Sequence, residues 1–466
     1  MLSLTDRIFY HIYPLGFCGA PRNNDFISPA GNGLKRIIDF IPHLVDLGIN
    51  ALYIGPLFES SGHGYDTLDY YWTDRRLGTN EDLKLLIREL HKKNIIVVLD
   101  AVFNHTGRHF FAFGDIQKNG RSSPYRDWYA GIDFEKRSPL NDNFSYTGWS
   151  GNYDLVKLNT SNPAVREHLF GAVKHWVDTF DIDGLRLDAA AELDIGFLKS
   201  LSEYSKKLKN DFWLMGEIVT DKYDNYAFDG CLDSATNYVL YKGLWSSFND
   251  KNFFELAYTL NRQYGENGKY KNIALYNFAD NHDVDRLASV LVNKKHLNEL
   301  YALYFTLPGI PSIYYGSEYG ALGKRTKLSD SDLRPAWTEL EADKDKKQKY
   351  FDHEIDSGIL YSVIKKYIAM RKNKPVLRNG SFRQIYVSGE QYVFMREIAG
   401  GNSGPVLTAI NSSGKEAILK IRIENTGNYQ NTKWHDIAAG GESFVYSNGL
   451  NIKLNPFSIK ILEKAP

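Results

Sequence analysis

Short β-rich runs alternate with helical patterns from residue 8 to about residue 375, and this alternation restricts the fold more than any other property of the chain. Ile8 to Tyr13 and Ala51 to Ile54 are short apolar or aromatic runs. Ile95 to Leu99 (Ile-Ile-Val-Val-Leu) is continuous, as expected of a parallel strand covered on both faces. Between them Leu34, Ile37, Ile38, Ile41, Leu44 and Val45 recur at helical spacing, with Pro42 predicting a kink or a late start. Thr79 and Asp82 predict a capping box ahead of Leu83, Leu86, Ile87 and Leu90. Asn162-Pro163 opens a helix whose stripe is Val165, Leu169, Val173, Trp176, Val177 and Phe180. Strands are expected at Gly184–Leu187, Phe212–Gly216, near Leu232–Tyr238, at Ala274–Phe278 and at Ser312–Tyr315. Helices are expected at Phe197–Leu208, Phe253–Tyr264, Leu297–Leu307 and Ile359–Arg371. About eight strand–helix repeats predict an α/β fold, a (β/α)8 TIM barrel.

Two regions break the pattern. Residues 106–160 are rich in Gly, Ser, Asn, Asp, Tyr and Trp without a sustained period, too long for a connecting loop, so they read as a small domain inserted after strand 3. From about Phe382 the period becomes two, with Leu419, Ile421 and Ile423, then Phe457, Ile459 and Ile461, alternating with polar residues. The expected division is a barrel from 1–105 and 161–378, an insert at 106–160, and a C-terminal antiparallel β-sandwich at 379–466.

The 56 basic and 56 acidic side chains cancel, which gives no general attraction to nucleic acid or to an anionic membrane. Cys18 and Cys231 form no Cys-x-x-Cys metal or redox pattern; they read as two buried thiols, with one bridge left open. The N-terminal Met-Leu-Ser-Leu-Thr-Asp-Arg-Ile lacks a basic segment followed by an apolar one. The longest apolar stretch, Leu300 to Tyr315, is broken by Pro308 and Pro311. The expectation is a cytoplasmic protein. Aromatic residues make up 14% of the chain, compatible with stacking on sugar faces.

The chemistry is concentrated where barrel strands end, the face on which such barrels carry their active sites. Strand 3 ends in Asp100-Ala-Val-Phe-Asn104-His105, and strand 4 in Gly184-Leu-Arg186-Leu-Asp188. Strand 5 ends in Gly216-Glu217, and strand 7 in Asp280-Asn281-His282-Asp283. No cysteine or Ser-His pair competes, so the available nucleophile is a carboxylate. Glycosidic cleavage needs one carboxylate at the anomeric carbon and one carboxylic acid at the leaving oxygen. Arg186, on the same strand as Asp188, is expected to keep Asp188 ionised. Glu217 follows the apolar Phe212, Trp213, Leu214 and Met215, and suits the proton-donor role. A single strand-end Asp is more often a helix cap than a catalyst, and Asp100 reads as structural, bonded to Arg186 or loop amides. Four strands ending this way in step favour a site.

Asp-Ala-Val-Phe-Asn-His (100–105), Gly-Leu-Arg-Leu-Asp (184–188), Gly-Glu (216–217) and Asn-His-Asp (281–283), in this order and spacing, resemble the motifs of the α-amylase superfamily, glycoside hydrolase family 13. The resemblance covers the barrel, the insert and the C-terminal β domain. It implies Asp188 as nucleophile, Glu217 as general acid/base and Asp283 as the acid that stabilises the transition state. His105 and His282 would bind hydroxyls of the sugar in subsite −1, and Arg186 would hold Asp188. Gly64-Tyr65-Asp66 resembles the segment whose tyrosine stacks under that sugar, and Asp332-Leu-Arg334 the segment that brings an arginine to it. The implied mechanism is retention through a covalent glycosyl-enzyme.

Glu192-Leu-Asp194-Ile-Gly-Phe197 is similar to the corresponding run of neopullulanases and cyclomaltodextrinases, and Leu155-Val-Lys157-Leu158-Asn159 loosely echoes their insert. Secreted α-amylases carry Lys-His after the nucleophile motif for calcium; Ala191-Glu192 stands here, so no cofactor or metal is expected, with Asn104 the remaining element of such a site. Gly62 occupies the position where exo-acting α-glucosidases place a pocket-closing Asp. Cyclomaltodextrinases carry an extra N-terminal β domain that helps them dimerise; this chain starts at the first barrel strand, and its oligomeric state is left open. The expected partner is an α-glucan oligosaccharide, neither nucleic acid nor membrane, and the expected reaction is hydrolysis of α-1,4 bonds in maltodextrins or cyclomaltodextrins. The alternatives are a 4-α-glucanotransferase and a non-catalytic carbohydrate-binding relative.

Overall fold

The computed structural model describes residues 4–327, 329–400, 404–423, 429–440, 443–446 and 449–465, so Met1–Ser3 of the N-terminal run lie outside the described residues. Eight parallel strands form one sheet: β1 (Phe9–Ile12), β2 (Ala51–Ile54), β3 (Ile96–Ala101), β4 (Gly184–Leu187), β5 (Trp213–Gly216), β6 (Ser234–Ala235), β7 (Tyr276–Phe278) and β8 (Ile310–Tyr314). From β7 through β8 and β1 round to β6 each strand pairs with the next. Thr236, directly after β6, bridges to Tyr276 of β7 and closes the ring, giving the expected TIM barrel.

Period two sorts each strand between lumen and helical layer. Phe9, Ala51, Tyr53, Val98, Trp213, Met215, Tyr276, Phe278 and Ile310 pack together inside the barrel. Their neighbours Leu52, Val97, Leu99, Leu185 and Leu214 pack outward against the helices. Extending that alternation past the last apolar lumen residue places Asp100 after Val98, and Glu217 after Trp213 and Met215. The site is thus the polar continuation of the barrel core. Gly184 permits the β4–β5 approach, since a Cβ there would lie 2.4 Å from the Trp213 carbonyl oxygen.

The helices follow the local signals, with informative departures. Helix Asn80–His91 opens with the predicted box: Thr79 Oγ1 accepts from the Asp82 N–H, and Asp82 Oδ2 accepts from the Thr79 N–H at 2.8 Å. Helix Pro163–Phe180 is capped by Asn162, which accepts from the Ala164 N–H at 2.9 Å. Helix Gly33–Leu47 runs uninterrupted through Pro42. Pro42 is exposed, so the carbonyl left without a donor lies toward solvent, where water can satisfy it. The strand expected near Leu232–Tyr238 shortens to Ser234–Ala235, and Tyr238–Asn249 is a helix absent from the sequence reading. Asn237 explains this, because its side chain caps the helix by accepting from the Leu240 N–H.

Between β3 and β4 the chain forms a three-stranded sheet of His105–Gly107, Asn152–Lys157 and Gly148–Trp149, with a helix at Phe111–Asn119. Beyond the barrel, a six-stranded antiparallel sheet and the two-stranded ribbon Ala417–Ile421 with Leu450–Leu454 enclose Val393, Met395, Leu407, Leu419, Trp434, Ile452 and Leu462, a β-sandwich-like unit. Cys18 and Cys231 are buried free thiols. No described helix is long and apolar enough to cross a membrane.

Candidate active site

Arg186 organises the floor of the barrel mouth. Its Nη1 donates to Asp100 Oδ1 at 2.9 Å and to Asp188 Oδ1 at 2.9 Å, and its Nη2 lies 3.1 Å from Glu217 Oε1. One guanidinium from β4 therefore bridges carboxylates at the ends of β3, β4 and β5. Asp100 also accepts from Tyr53 at 2.8 Å and from Tyr65 at 3.2 Å, so it is the base of the cluster, in keeping with its reading as structural.

The opposite wall is built around His282. Its Nε2 lies 3.0 Å from Asp283 Oδ2 and is hydrogen-bonded to the Tyr65 hydroxyl; the two rings stack with centroids 5.7 Å apart. Arg334 donates to Asp283 Oδ1 at 3.0 Å and to the His282 carbonyl at 3.0 Å, and its guanidinium lies over the Tyr13 ring. All eight residues singled out from the sequence thus belong to one buried or half-buried region: Tyr65, His105, Arg186, Asp188, Glu217, His282, Asp283 and Arg334. Seven of them fall into two contact groups, Arg186 with Asp188 and Glu217, and Tyr65 with His282, Asp283 and Arg334, which Asp100 links by accepting from both Arg186 and Tyr65. His105 lies close to the backbone of Tyr65 and is 1% exposed.

The electrostatics separate the acids. Burial raises the Asp283 carboxyl, but His282, Arg334 and Arg186 together hold it well below the usual carboxylate range. Burial pushes Asp188 well above that range; Arg186 opposes this, while Glu217, Asp100 and Asp283 reinforce it. Arg186 does touch Asp188 as the sequence implied, yet it is divided among three carboxylates, so in the free protein burial and like charge prevail at Asp188. Burial lowers His105 to about 3 and lowers His11 well below its ordinary value, so both rings are neutral.

Several groups around the site carry no sequence signal. The Ala189 N–H donates to Glu217 Oε2 at 2.9 Å, and the Tyr238 hydroxyl donates to Glu217 Oε1 at 3.2 Å. Ala189 holds the left-handed conformation (φ 46°), a local strain of about 1 kcal/mol for a residue with a Cβ. His11 stacks on Tyr53 at 4.2 Å and meets the edge of His282 at 5.1 Å. Tyr238 stood outside the strand-end motifs, and Ala189 is an ordinary residue until its φ is known.

Of the residues weighed for a calcium site of the secreted type, the Asn104 amide nitrogen faces His105 Nδ1 at 3.2 Å and Glu192 pairs with Lys157 at 3.1 Å.

Residues 11–376 match the α-amylase catalytic domain. The cyclomaltodextrinase of Geobacillus thermopakistaniensis is 33% identical over 97% of this chain and 76% of its own length. The intracellular maltogenic amylase of Bacillus subtilis is 31% identical over 80% of this chain and 63% of its own. Among solved structures, the debranching enzyme of Nostoc punctiforme superimposes with a TM-score of 0.80 at 26% identity, covering 99% of this chain and 98% of that one. The chain belongs to the α-amylase family of glycoside hydrolases.

Proposed function

We propose that the protein is a retaining α-glycosidase that cuts α-1,4-glucosidic bonds of maltodextrins and cyclomaltodextrins. One observation carries the reading: Asp188 and Glu217, from adjacent barrel strands, are bridged by the two terminal nitrogens of the Arg186 guanidinium. Retention requires two carboxyls close enough to act on one glycosidic bond, and a shared guanidinium on neighbouring strands supports that arrangement. Ionised Asp188 attacks the anomeric carbon as Glu217, which then carries the one proton the pair shares, gives that proton to the leaving oxygen. Glu217 then takes a proton from the water that releases the sugar. Asp283, kept ionised by His282 and Arg334, accepts hydrogen bonds from ring hydroxyls. Positive charge developing on the sugar offsets the repulsion among the three carboxylates and favours ionised Asp188. Tyr65 forms the platform under the sugar, and His105, His282 and Arg334 bind around it.

The names borne by the Geobacillus and Bacillus relatives support the substrate class and an intracellular location. Debranching activity, the function named for the Nostoc structure, is a second reading. It is supported by the likeness to that structure, at 26% identity over 99% of this chain. We also propose that 1–105 with 161–378, 106–160 and 379–466 are the three domains.

Replacing Asp188 by Asn tests the assignment. Hydrolysis of maltohexaose is expected to fall by at least about 10³-fold with binding retained. Activity within tenfold of wild type removes Asp188 from the nucleophile role.

A further inference from the structure

His105 presents an unresolved need. It is 1% exposed and neutral, and its Nε2 is buried with no hydrogen-bond partner. A buried imidazole nitrogen left unpaired is costly unless a ligand completes it. The Trp149 ring lies 5.6 Å from the His105 ring, tilted by 34°, and is only half-buried. The insert fixes this arrangement. His105 and Trp149 stand on the outer strands of its three-stranded sheet, where Thr106 pairs with Val156 and Val156 with Gly148. Beyond Trp149 the hairpin turns through Ser150 (φ 50°) and Gly151 (φ 82°), a tight reversal that holds the ring at the sheet's end.

We propose that Trp149 is a sugar-contacting, specificity-determining residue: it forms the insert-side wall of the cleft and stacks on the α-glucan unit next to the one His105 holds. This rests on the α-glucan reading above. A flat indole suits the apolar face of a pyranose, and a half-buried ring offers that face without first being uncovered. The contact acts on chain binding rather than on bond breaking, so it belongs in KM.

The test compares Trp149→Ala and Trp149→Phe with the wild-type protein on maltohexaose. It also follows tryptophan emission as maltohexaose is added to D188N and to D188N/W149F. The alanine variant is expected to raise KM about 10-fold with kcat within about 3-fold, and phenylalanine to restore most of the loss. The emission change on binding is expected to shrink in D188N/W149F, although seven of the chain's 8 tryptophans remain. Unchanged melting temperatures of both single variants exclude misfolding. A KM within twofold of wild type for W149A, in a protein that does cleave maltohexaose, overturns the Trp149 assignment alone. If the wild-type protein cleaves no α-glucan and D188N binds none, the functional reading falls and takes this inference with it.

Discussion

At the barrel mouth Arg186 is surrounded by carboxylates, whereas at the junction with the C-terminal sheet Arg371 and Arg396 are surrounded by carbonyls. Arg371 donates to Phe305 O, Leu307 O and Gly309 O. Arg396 makes five bonds, to Thr306 O, Leu377 O, Ser381 O and twice to Gly380 O. Burial pushes Arg371 down to about 10 and, with the help of Arg371, pushes Arg396 down to about 9. At Arg186 burial acts the same way, but Asp100 and Glu217 hold the guanidinium firmly charged. The two clusters differ in what they can do. Carbonyls do not titrate, so the Arg371–Arg396 pair is fixed and pins the C-terminal sheet to the Phe305–Gly309 turn before β8. Carboxylates that outnumber their cations keep protons mobile, as catalysis requires.

The sharpest way to break this comparison is at the mouth. Glu217→Gln is expected to cost about 10²–10⁴-fold in hydrolysis of maltohexaose, and far less on α-glucosyl fluoride, whose leaving group needs no proton. Its melting temperature should not fall, because the amide keeps the shape of the side chain. Equal losses on both substrates contradict the proton-donor role. At the junction the expectation reverses. Arg396→Met leaves those carbonyls without their donor and should destabilise the protein by about 3–5 kcal/mol in urea unfolding, with kcat per folded molecule unchanged. A stability change under about 1 kcal/mol would make the clamp incidental.

A third buried pair sharpens the contrast, since it lies near the C-terminal sheet but does titrate. Glu299 contacts His296, whose ring packs on Phe248 and on Phe457 of the C-terminal region. Burial raises Glu299 from 4.5 to about 7, against the pull of His296. A carboxyl raised on folding contributes stability that is complete below the unfolded value and is lost as pH rises through the folded one. Stability from this group should therefore fall by about 3 kcal/mol between pH 4.5 and 7. Glu299→Gln should flatten that part of the urea-midpoint profile; an unchanged slope contradicts the assignment.

The mouth was largely legible in the sequence because its residues sit where strand periodicity runs out into polar motifs, so Asp188, Glu217 and Asp283 could be named from local order. The junction was not. Arg396 reaches Thr306 across 90 positions, and nothing in Phe394-Met395-Arg396 distinguishes a clamp from an exposed charge. The helix Tyr238–Asn249 was hidden by the β-like run before it, although Asn237 marks its start. The burial that raises Asp188, and the sharing of Arg186 among three carboxylates that limits its opposition, depend on distances that no spacing supplies.

A mechanism-based label reads the nucleophile directly: 5-fluoro-α-glucosyl fluoride slows release of the sugar and lets the covalent form accumulate. Mass spectrometry of the digested protein should then find one fluoroglucosyl group on the peptide carrying Asp188, and none in D188N. A label carried elsewhere, or no label while the first free product has the inverted anomeric configuration, would contradict double displacement at Asp188.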